Sequence, residues 1–309
     1  TKVRPGHPRD WTAYVVGVFW SLREAAYDVP GADIYLTSEV PVGAGLASSA
    51  ALACAVGAAL SDVAGFGLLD DDRGRTVLAA ACRRAENEIA GAPTGGLDQL
   101  ASLRCREGYA LLLDFRDGRA QPVPFDLDAA GLALLVIDTR APHALVDGLY
   151  ADRRRTCEQA AAALGVATLR EVHPGSLDAA LAGLHDERTR ALVRHVVTET
   201  ERVVRCVEAL QTGTFAEMGR LMLASHASLR EDYLVSCPEL DVTVDAARAA
   251  GSLGARMTGG GFGGSAIALV PAQDADAVGR AVHAAFEARG FGPPDIRLAS
   301  ASNGASRVR

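Results

Sequence analysis

Two glycine-rich segments constrain this chain more than any other feature of its sequence. Residues 41–51 read PVGAGLASSAA, and residues 257–264 read MTGGGFGG, with five glycines in eight positions. Glycine loses more conformational freedom on folding than any other residue, and in return it allows close approach and positive φ angles. We therefore expect each segment to lie against another backbone or a ligand rather than to form a mobile surface loop.

The first glycine segment leads from a strand-like stretch into a helix of small residues that begins near Ser48. The unpaired N–H groups and the positive dipole end at a helix start suit an anion such as phosphate. Lys2 is the only lysine of the chain. A phosphate bound here is therefore expected to rely on backbone N–H groups, arginine or a metal rather than on a P-loop lysine. The alternative is an ordinary glycine turn followed by a serine N-cap.

The remaining pattern predicts a chain that mixes helices and strands. Apolar residues spaced three and four apart predict helices over residues 10–27, 75–90, 149–164, 187–210, 215–229 and 274–289. Short apolar or alternating runs predict strands over residues 34–40, 110–115, 132–138, 266–270 and 295–299. The polar tail after Ser300 is expected to be loose. This irregular alternation indicates an α+β or two-layer α/β fold, and the length of 309 residues favours two domains.

Two acidic residues are candidates for chemistry. Glu86 lies on the predicted helix 75–90 and has the oxygen ligands that a hard divalent cation prefers. Asp98 follows a glycine turn, where a carboxylate can orient or deprotonate a nucleophile. The alternatives are a solvated helix face for Glu86 and Glu88 and a helix N-cap for Asp98. His226, on another predicted helix, is expected to be structural, with a ligand role left open.

Charge, apolar run length and cysteine spacing exclude several classes of protein. A net charge of -7 argues against nucleic acid or an anionic membrane as partner. The apolar runs at residues 50–60 and 110–115 are too short to span a bilayer, and no signal peptide is expected. The six cysteines form no C-x-x-C pair, which favours reduced thiols and a cytoplasmic protein.

Taken together, the motifs resemble the galactokinases of the GHMP small-molecule kinase superfamily. The resemblance rests on residues 41–51, on 85–87 (AEN) with 95–99 (GGLDQ), and on 257–264, of which only the glycine motifs recur in the wider superfamily. Residues 150–157 (YADRRRTC) and 225–241 (SHASLREDYLVSCPELD) are similar to galactokinases in particular. The resemblance implies an N-terminal domain over residues 1–138 with a mixed sheet, and a ferredoxin-like domain over residues 139–309. It places the active site in the cleft between them, in a protein expected to be a monomer.

The resemblance also implies roles for individual residues. The phosphates of ATP are expected at Gly43, Ala44, Gly45, Leu46, Ala47, Ser48 and Ser49. Mg²⁺ is expected at Ser49 and Glu86, the catalytic carboxylate is Asp98, and the sugar is expected to contact Gly95, Asp98 and Tyr150. The cleft is expected to be closed, and the first loop supported, by Gly259, Gly260, Gly261, Gly263 and Gly264.

The implied reaction is ATP-dependent phosphorylation of the anomeric C1 hydroxyl of D-galactose, giving galactose 1-phosphate by in-line transfer with Mg²⁺. One alternative is a kinase of a related sugar, such as N-acetylgalactosamine, arabinose or galacturonate. Another is a non-catalytic sensor of sugar and ATP, or an inactive truncated chain. Intact Ser48, Ser49, Glu86 and Asp98 favour an enzyme.

Two departures from the family pattern bear on these expectations. Galactokinases carry a G-R-x-N-x-x-G-E-H-x-D-Y-type segment that supplies an arginine beside the carboxylate and groups for the sugar hydroxyls. This sequence has no match to that segment and opens on Thr1. We expect either that the natural chain is longer or that half of the sugar site is lacking, with little turnover. Ala47 stands where many relatives have serine, and little effect is expected.

Overall fold

The computed structural model describes residues 3–141 and 146–308. The chain separates into two compact units that are interleaved in sequence. The first unit contains the residues up to Val42, Leu46–Pro122, and the residues from Ala301 onward. The second unit contains Gly43–Gly45 and Val123–Ser300. The chain therefore enters the second unit for three residues of the first glycine loop and then returns.

The first unit is mainly helical. Its elements are α1 (Thr12–Glu24), α2 (Ser48–Val63), α3 (Asp72–Arg84), a π-helical segment (Ala85–Ala90), α4 (Leu97–Arg104), and the paired strands β1 (Tyr109–Asp114) and β2 (Arg119–Pro124). The helices bury one continuous apolar core in which Leu22, Cys54 and Leu78 are fully inaccessible to solvent. This core fixes the relative positions of the ends of α2, the π-helical segment and α4.

The strand predicted over residues 34–40 is wrong, because no strand forms there in the described part of the chain. A β-strand is stabilised by hydrogen bonds to a neighbouring strand and by burial of one face. Neither is present for this stretch, in which the side chain of Tyr35 is 90% exposed. Alternation of β-branched residues predicts a strand only where a neighbouring strand is available for pairing. No described strand lies beside this stretch.

The helix predicted over residues 75–90 forms with two geometries. The α-helical part is capped at its start by Asp71, whose carboxylate accepts a 2.7 Å hydrogen bond from the Gly74 N–H. It changes at Ala85 into a π-helical segment, a form that is rare and frequent at functional sites. The segment buries Glu86 and leaves Glu88 on the surface, paired with Arg84.

The second unit contains a four-stranded antiparallel sheet with helices. Its elements are β3 (Leu132–Asp138), α5 (Val146–Ala163), α6 (Leu177–Ala182), α7 (Glu187–Gln211), α8 (Phe215–Glu231), α9 (Pro238–Ala249), β4 (Gly254–Met257), β5 (Ser265–Pro271), α10 (Ala275–Arg289) and β6 (Asp295–Ala299). The strand order is β4-β5-β3-β6, with every neighbouring pair antiparallel. This is the βαββαβ arrangement of ferredoxin-like folds, with additional helices between β3 and β4, as expected.

Helices α9 and α10 pack on the sheet and close its core. Val244 of α9, and Val282 and Phe286 of α10, are buried with Leu135 of β3 and Val270 of β5. The near-continuous apolar character of β5 follows from this burial, because five of its seven residues are buried and the other two are partly buried. The rigid sheet carries the second glycine segment between β4 and β5.

The polar tail after Ser300 is held in place rather than loose. The Gly304 N–H donates to the Cys105 carbonyl at 2.8 Å, and the Ala305 N–H donates to the Ser102 carbonyl at 2.8 Å. Arg75 of α3 donates to the carbonyls of Leu103 and Ala305. The tail thus completes the first unit beside the end of α4.

Two sequence-based exclusions can be compared with the structure. Within residues 3–141 and 146–308, no helix combines the length and the apolar character needed to cross a bilayer. All six cysteines are free thiols, and Cys54 and Cys82 are buried in the first core. This agrees with the expectation of reduced thiols.

Candidate active site

Helix α2 begins without a side-chain cap. Its N-cap residue is Ala47, in a left-handed conformation with φ 54°, and no described side chain accepts a hydrogen bond from its first turn. The first main-chain bond that closes the helix runs from the Ala51 N–H to the Ala47 carbonyl at 3.0 Å. The alternative of a serine N-cap is therefore wrong. The N–H groups at the start of α2 are available to an anion.

The carboxylate of Glu86 is buried and held from two sides. The Ser49 hydroxyl donates to Oε1 at 2.7 Å, and the Gln99 amide donates to Oε2 at 2.5 Å. Burial raises the pKa of Glu86 more than the hydrogen bonds from Ser49 and Gln99 lower it, and the charge of Asp98 raises it further. The structure thus brings together Ser49 and Glu86, the two residues predicted to bind a metal.

Gln99 is a functional candidate that sequence reasoning missed. Its side chain is fully buried, and its Oε1 has no hydrogen-bond partner among the described residues. Its main-chain carbonyl accepts a long contact from the Cys54 thiol. The signal in the sequence was its place in the GGLDQ motif, directly after Asp98. Its role in the structure is to fix the carboxylate of Glu86.

Asp98 lies in the first turn of α4 and is half-buried. Burial raises the pKa of its carboxyl group. The turn before it is held by Asn87, whose side chain accepts from the Thr94 N–H at 2.7 Å and donates to the Thr94 carbonyl at 3.2 Å. Gly95 is exposed in this turn. The amide of Asn87 therefore links the π-helical segment to the turn that presents Gly95 and Asp98.

In the second unit, the two glycine segments lie against each other through residues 43–45. The Ser265 hydroxyl donates to the Ala44 carbonyl at 2.7 Å. A Cβ atom on Gly259 would lie only 2.9 Å from the Gly45 carbonyl oxygen. The N–H and the hydroxyl of Thr139 both donate to the Gly264 carbonyl. Sequence reasoning missed Ser265 and Thr139, although Ser265 directly follows the glycine segment.

The second glycine segment is fixed from its other side by residue 235. The Phe262 N–H donates to the Val235 carbonyl at 2.6 Å. Gly261 has φ 84°, and a Cβ atom on it would lie 2.3 Å from the same carbonyl oxygen. Gly263 and Gly264 are buried, and Gly260 is exposed at the tip of the loop. The loop is therefore enclosed by main chain on both sides.

Arg153 connects two of the motifs quoted above. Its side chain is 6% exposed and donates through Nε to the Tyr233 carbonyl at 2.8 Å and through Nη2 to the Leu234 carbonyl at 3.3 Å. Residue 234 has φ 57°, an uncommon value for leucine. Tyr150, predicted to contact the sugar, lies on α5, but its side chain falls outside the described part of the chain.

Two family descriptions match the chain and define its class. Residues 13–106 match the N-terminal domain of the GHMP kinases, and residues 206–288 match the C-terminal domain of the same kinases. Together the matches cover more than half of the sequence. The chain is therefore a GHMP kinase, and the uncapped start of α2 lies in its N-terminal domain match.

Individual relatives narrow this class further. A galactokinase of Streptomyces coelicolor is 52% identical over 98% of this chain and 78% of its own length. A galactokinase of Mycobacterium tuberculosis is 45% identical over 99% of this chain and 82% of its own length. The crystal structure of Lactococcus lactis galactokinase complexed with galactose matches with a TM-score of 0.87 and 31% identity, over 97% of this chain and 77% of that one. This chain belongs to the galactokinase family, which consists of ATP-dependent sugar kinases.

Proposed function

We propose that this protein transfers the γ-phosphoryl group of ATP to the anomeric hydroxyl of D-galactose. The observation that carries the proposal is the group of Ser49, Glu86 and Asp98, whose buried or half-buried side chains lie at the starts of two helices and in a π-helical segment. The galactose in the Lactococcus lactis structure, bound to a relative of 31% identity, supports this choice of sugar.

The phosphates of ATP are proposed to bind at residues 43–49. The start of α2 has unpaired N–H groups and the positive end of the helix dipole. No acidic residue lies in the first turn to compete with a phosphate. This arrangement would let a chain whose single lysine is at position 2 bind a nucleoside triphosphate.

The residues present fit a magnesium ion that is bound together with nucleotide. Ser49 and Glu86 offer a hydroxyl and a carboxylate, the hard oxygen ligands that Mg²⁺ prefers, already 2.7 Å apart. Among the described residues, no cluster of three or more histidine, cysteine or acidic groups forms a complete metal cage. Mg²⁺ is usually held by one or two protein oxygens and by substrate phosphates. When bound, the ion would neutralise charge on the phosphate oxygens.

Asp98 is proposed to orient the sugar hydroxyl and to accept its proton. Its raised pKa makes it a stronger base than an exposed aspartate. The transition state of phosphoryl transfer is loose, so alignment of the nucleophile contributes a large part of the catalysis. Gly95, and Tyr150 on α5, are proposed to contact the sugar.

The test is an ADP-release assay with Mg²⁺, ATP and a panel of sugars. We expect release that depends on galactose and exceeds release with N-acetylgalactosamine, arabinose and galacturonate. A higher kcat/KM with one of those sugars would move the proposal to a related sugar kinase. Binding of galactose and ATP without any ADP release would contradict catalysis and favour a sensor.

A further inference from the structure

His226 is a buried histidine whose two ring nitrogens both have partners. It lies on α8, with 3% of its side chain exposed. Nδ1 accepts a hydrogen bond from the Met257 N–H at 3.3 Å, and Nε2 lies 3.1 Å from Oδ1 of Asp241. A backbone N–H can only donate, so Nδ1 must carry the lone pair and Nε2 the proton. These two partners select one neutral tautomer.

Met257 is the last residue of β4, directly before the second glycine loop. Strand β4 is an edge strand of the sheet. The Thr258 N–H points to β5, where it donates to the Ser265 carbonyl at 2.9 Å. Because successive N–H groups of a strand point in opposite directions, the Met257 N–H points away from the sheet. Among the described residues, His226 is the acceptor that meets it there.

A close contact between two glycines brings His226 to this position. A Cβ atom on Gly219 of α8 would lie 2.2 Å from the Leu253 carbonyl oxygen, and one on Gly254 would lie 2.1 Å from the Gly219 carbonyl oxygen. Seven residues of helix from Gly219 to His226 make about two turns and advance about 10.5 Å along the same face. Three residues of strand from Gly254 to Met257 advance about 10 Å. The equal distances place the imidazole opposite the end of β4.

The other partner of His226 is linked to the same loop. Asp241 also accepts a 2.6 Å hydrogen bond from the Ser236 hydroxyl. Burial raises the pKa of Asp241, but the hydrogen bonds from His226 and Ser236, together with nearby charge that includes Arg230, lower it by more, so the net shift is downward. Ser236 follows Val235, whose carbonyl holds the Phe262 N–H. The loop is thus held at its start by His226 and at its middle by Val235.

We propose that His226 is a positioning residue of the kinase: it sets the start of the second glycine loop and thereby the position of residues 43–45. The loop contacts these residues through Gly259, which leaves no room for a side chain beside the Gly45 carbonyl. A shift of the loop start therefore displaces main chain that is proposed to receive ATP. The kinetic part of this inference rests on the proposed function.

Two substitutions separate the two ring nitrogens. In H226N, the shorter side chain keeps an acceptor near the position of Nδ1 but does not reach Asp241. In H226Q, the longer side chain keeps a donor near the position of Nε2 but offers no acceptor to the Met257 N–H. We expect H226Q to weaken ATP binding about tenfold, the effect of losing one hydrogen bond, and H226N to weaken it by less than about threefold. The KM for galactose should change by less than about twofold in both variants.

ATP binding is measured by calorimetry with MgCl₂, and backbone protection by hydrogen exchange at residues 257–264. We expect the Met257 amide to exchange slowly in the unaltered protein and faster in H226Q. Equal loss of ATP affinity in the two variants would indicate general structural damage and overturn the proposal. So would rapid exchange at Met257 in the unaltered protein, which is informative even if H226Q fails to fold. Neither measurement needs turnover, so failure of the kinase assay alone would contradict the proposed function and leave this inference standing.

Discussion

The two units supply different kinds of chemical group to the candidate functions. In the first unit, the groups are the N–H groups at the start of α2 and four side chains: the hydroxyl of Ser49, the carboxylates of Glu86 and Asp98, and the amide of Gln99. In the second unit, they are main-chain atoms of residues 43–45 and 257–264, packed so closely that side chains do not fit at Gly259 and Gly261. The side chains proposed for chemistry thus belong to the first unit, and the main chain that fixes residues 43–45 belongs to the second.

This difference has a physical basis. A buried carboxylate is costly unless hydrogen bonds compensate it, and the first unit keeps Glu86 in that state. A glycine loop has few side chains to bury, so much of its shape must come from neighbouring backbone. We therefore expect substitutions in the first unit to change turnover and those in the second unit to change stability and ATP binding.

The largest effect is expected for Asp98→Asn. Loss of the proposed base should lower kcat on the order of 1,000-fold, while the affinity for ATP changes by less than about threefold. Steady-state kinetics and calorimetry with ATP measure the two quantities. The matched control is Asp178→Asn, because α6 also begins with Leu-Asp and Asp178 is exposed. If the Asp98 and Asp178 variants have the same kcat, Asp98 is not the catalytic residue.

A smaller effect, on stability, is expected for Gly261→Ala. The new methyl group would meet the Val235 carbonyl at 2.3 Å, and the residue would have to keep φ 84°. We expect the free energy of unfolding to fall by about 3 kcal/mol. Gly213→Ala is the control, because Gly213 has φ 68° with open space around it, and it should cost about 1 kcal/mol. Urea unfolding measures the free energy of unfolding of both variants. An equal decrease in the two would show that the contact with Val235 contributes nothing to stability.

The smallest effect, and one of opposite sign, is expected for Glu86→Gln. The folded state raises the pKa of Glu86, so it binds a proton more tightly than the unfolded state does. Stability from this group is present below the ordinary glutamate pKa and is lost as the pH rises through the raised value. Removing the charge should raise the free energy of unfolding at pH 7 by about 1 kcal/mol.

Urea unfolding at pH 5 and pH 7 tests this prediction. The unaltered protein should lose stability between the two pH values, and the Glu86→Gln variant should lose less. A variant that is less stable than the unaltered protein by the same amount at both pH values would show that the hydrogen bonds of Glu86, rather than its charge, dominate.

Some elements were predictable because their cause is local. Strands β3 and β6 have the predicted bounds of 132–138 and 295–299, since each is a short run ended by glycine, proline or a charged residue. The long helix α7 follows from its apolar stripe. The glycine segments were recognisable because so many glycines persist in a folded chain only for a conformational reason.

Other features depend on neighbours that the sequence does not reveal. Strand β2 carries arginine and proline and is largely exposed, so it lacks an apolar run. The change to π-helical geometry begins at Ala85, which packs so closely on α1 that a Cβ on Gly17 would lie 3.0 Å from it, and the sequence does not reveal this contact. The role of Gln99 required knowing that its side chain points at Glu86. The prediction of a strand over residues 34–40 was wrong for the same reason, because one segment does not show whether another strand pairs with it.

The held tail has a consequence for the order in which this protein is synthesised. Arg75 and the end of α4 leave the ribosome early, but one of their partners, the Ala305 carbonyl, is among the last described residues to be made. Until then, the nascent chain exposes the groove between α3 and α4 that the tail will fill. The first unit therefore begins to fold first and is completed last, and a ribosome that stalls late releases a chain whose earliest helices still lack their final contact.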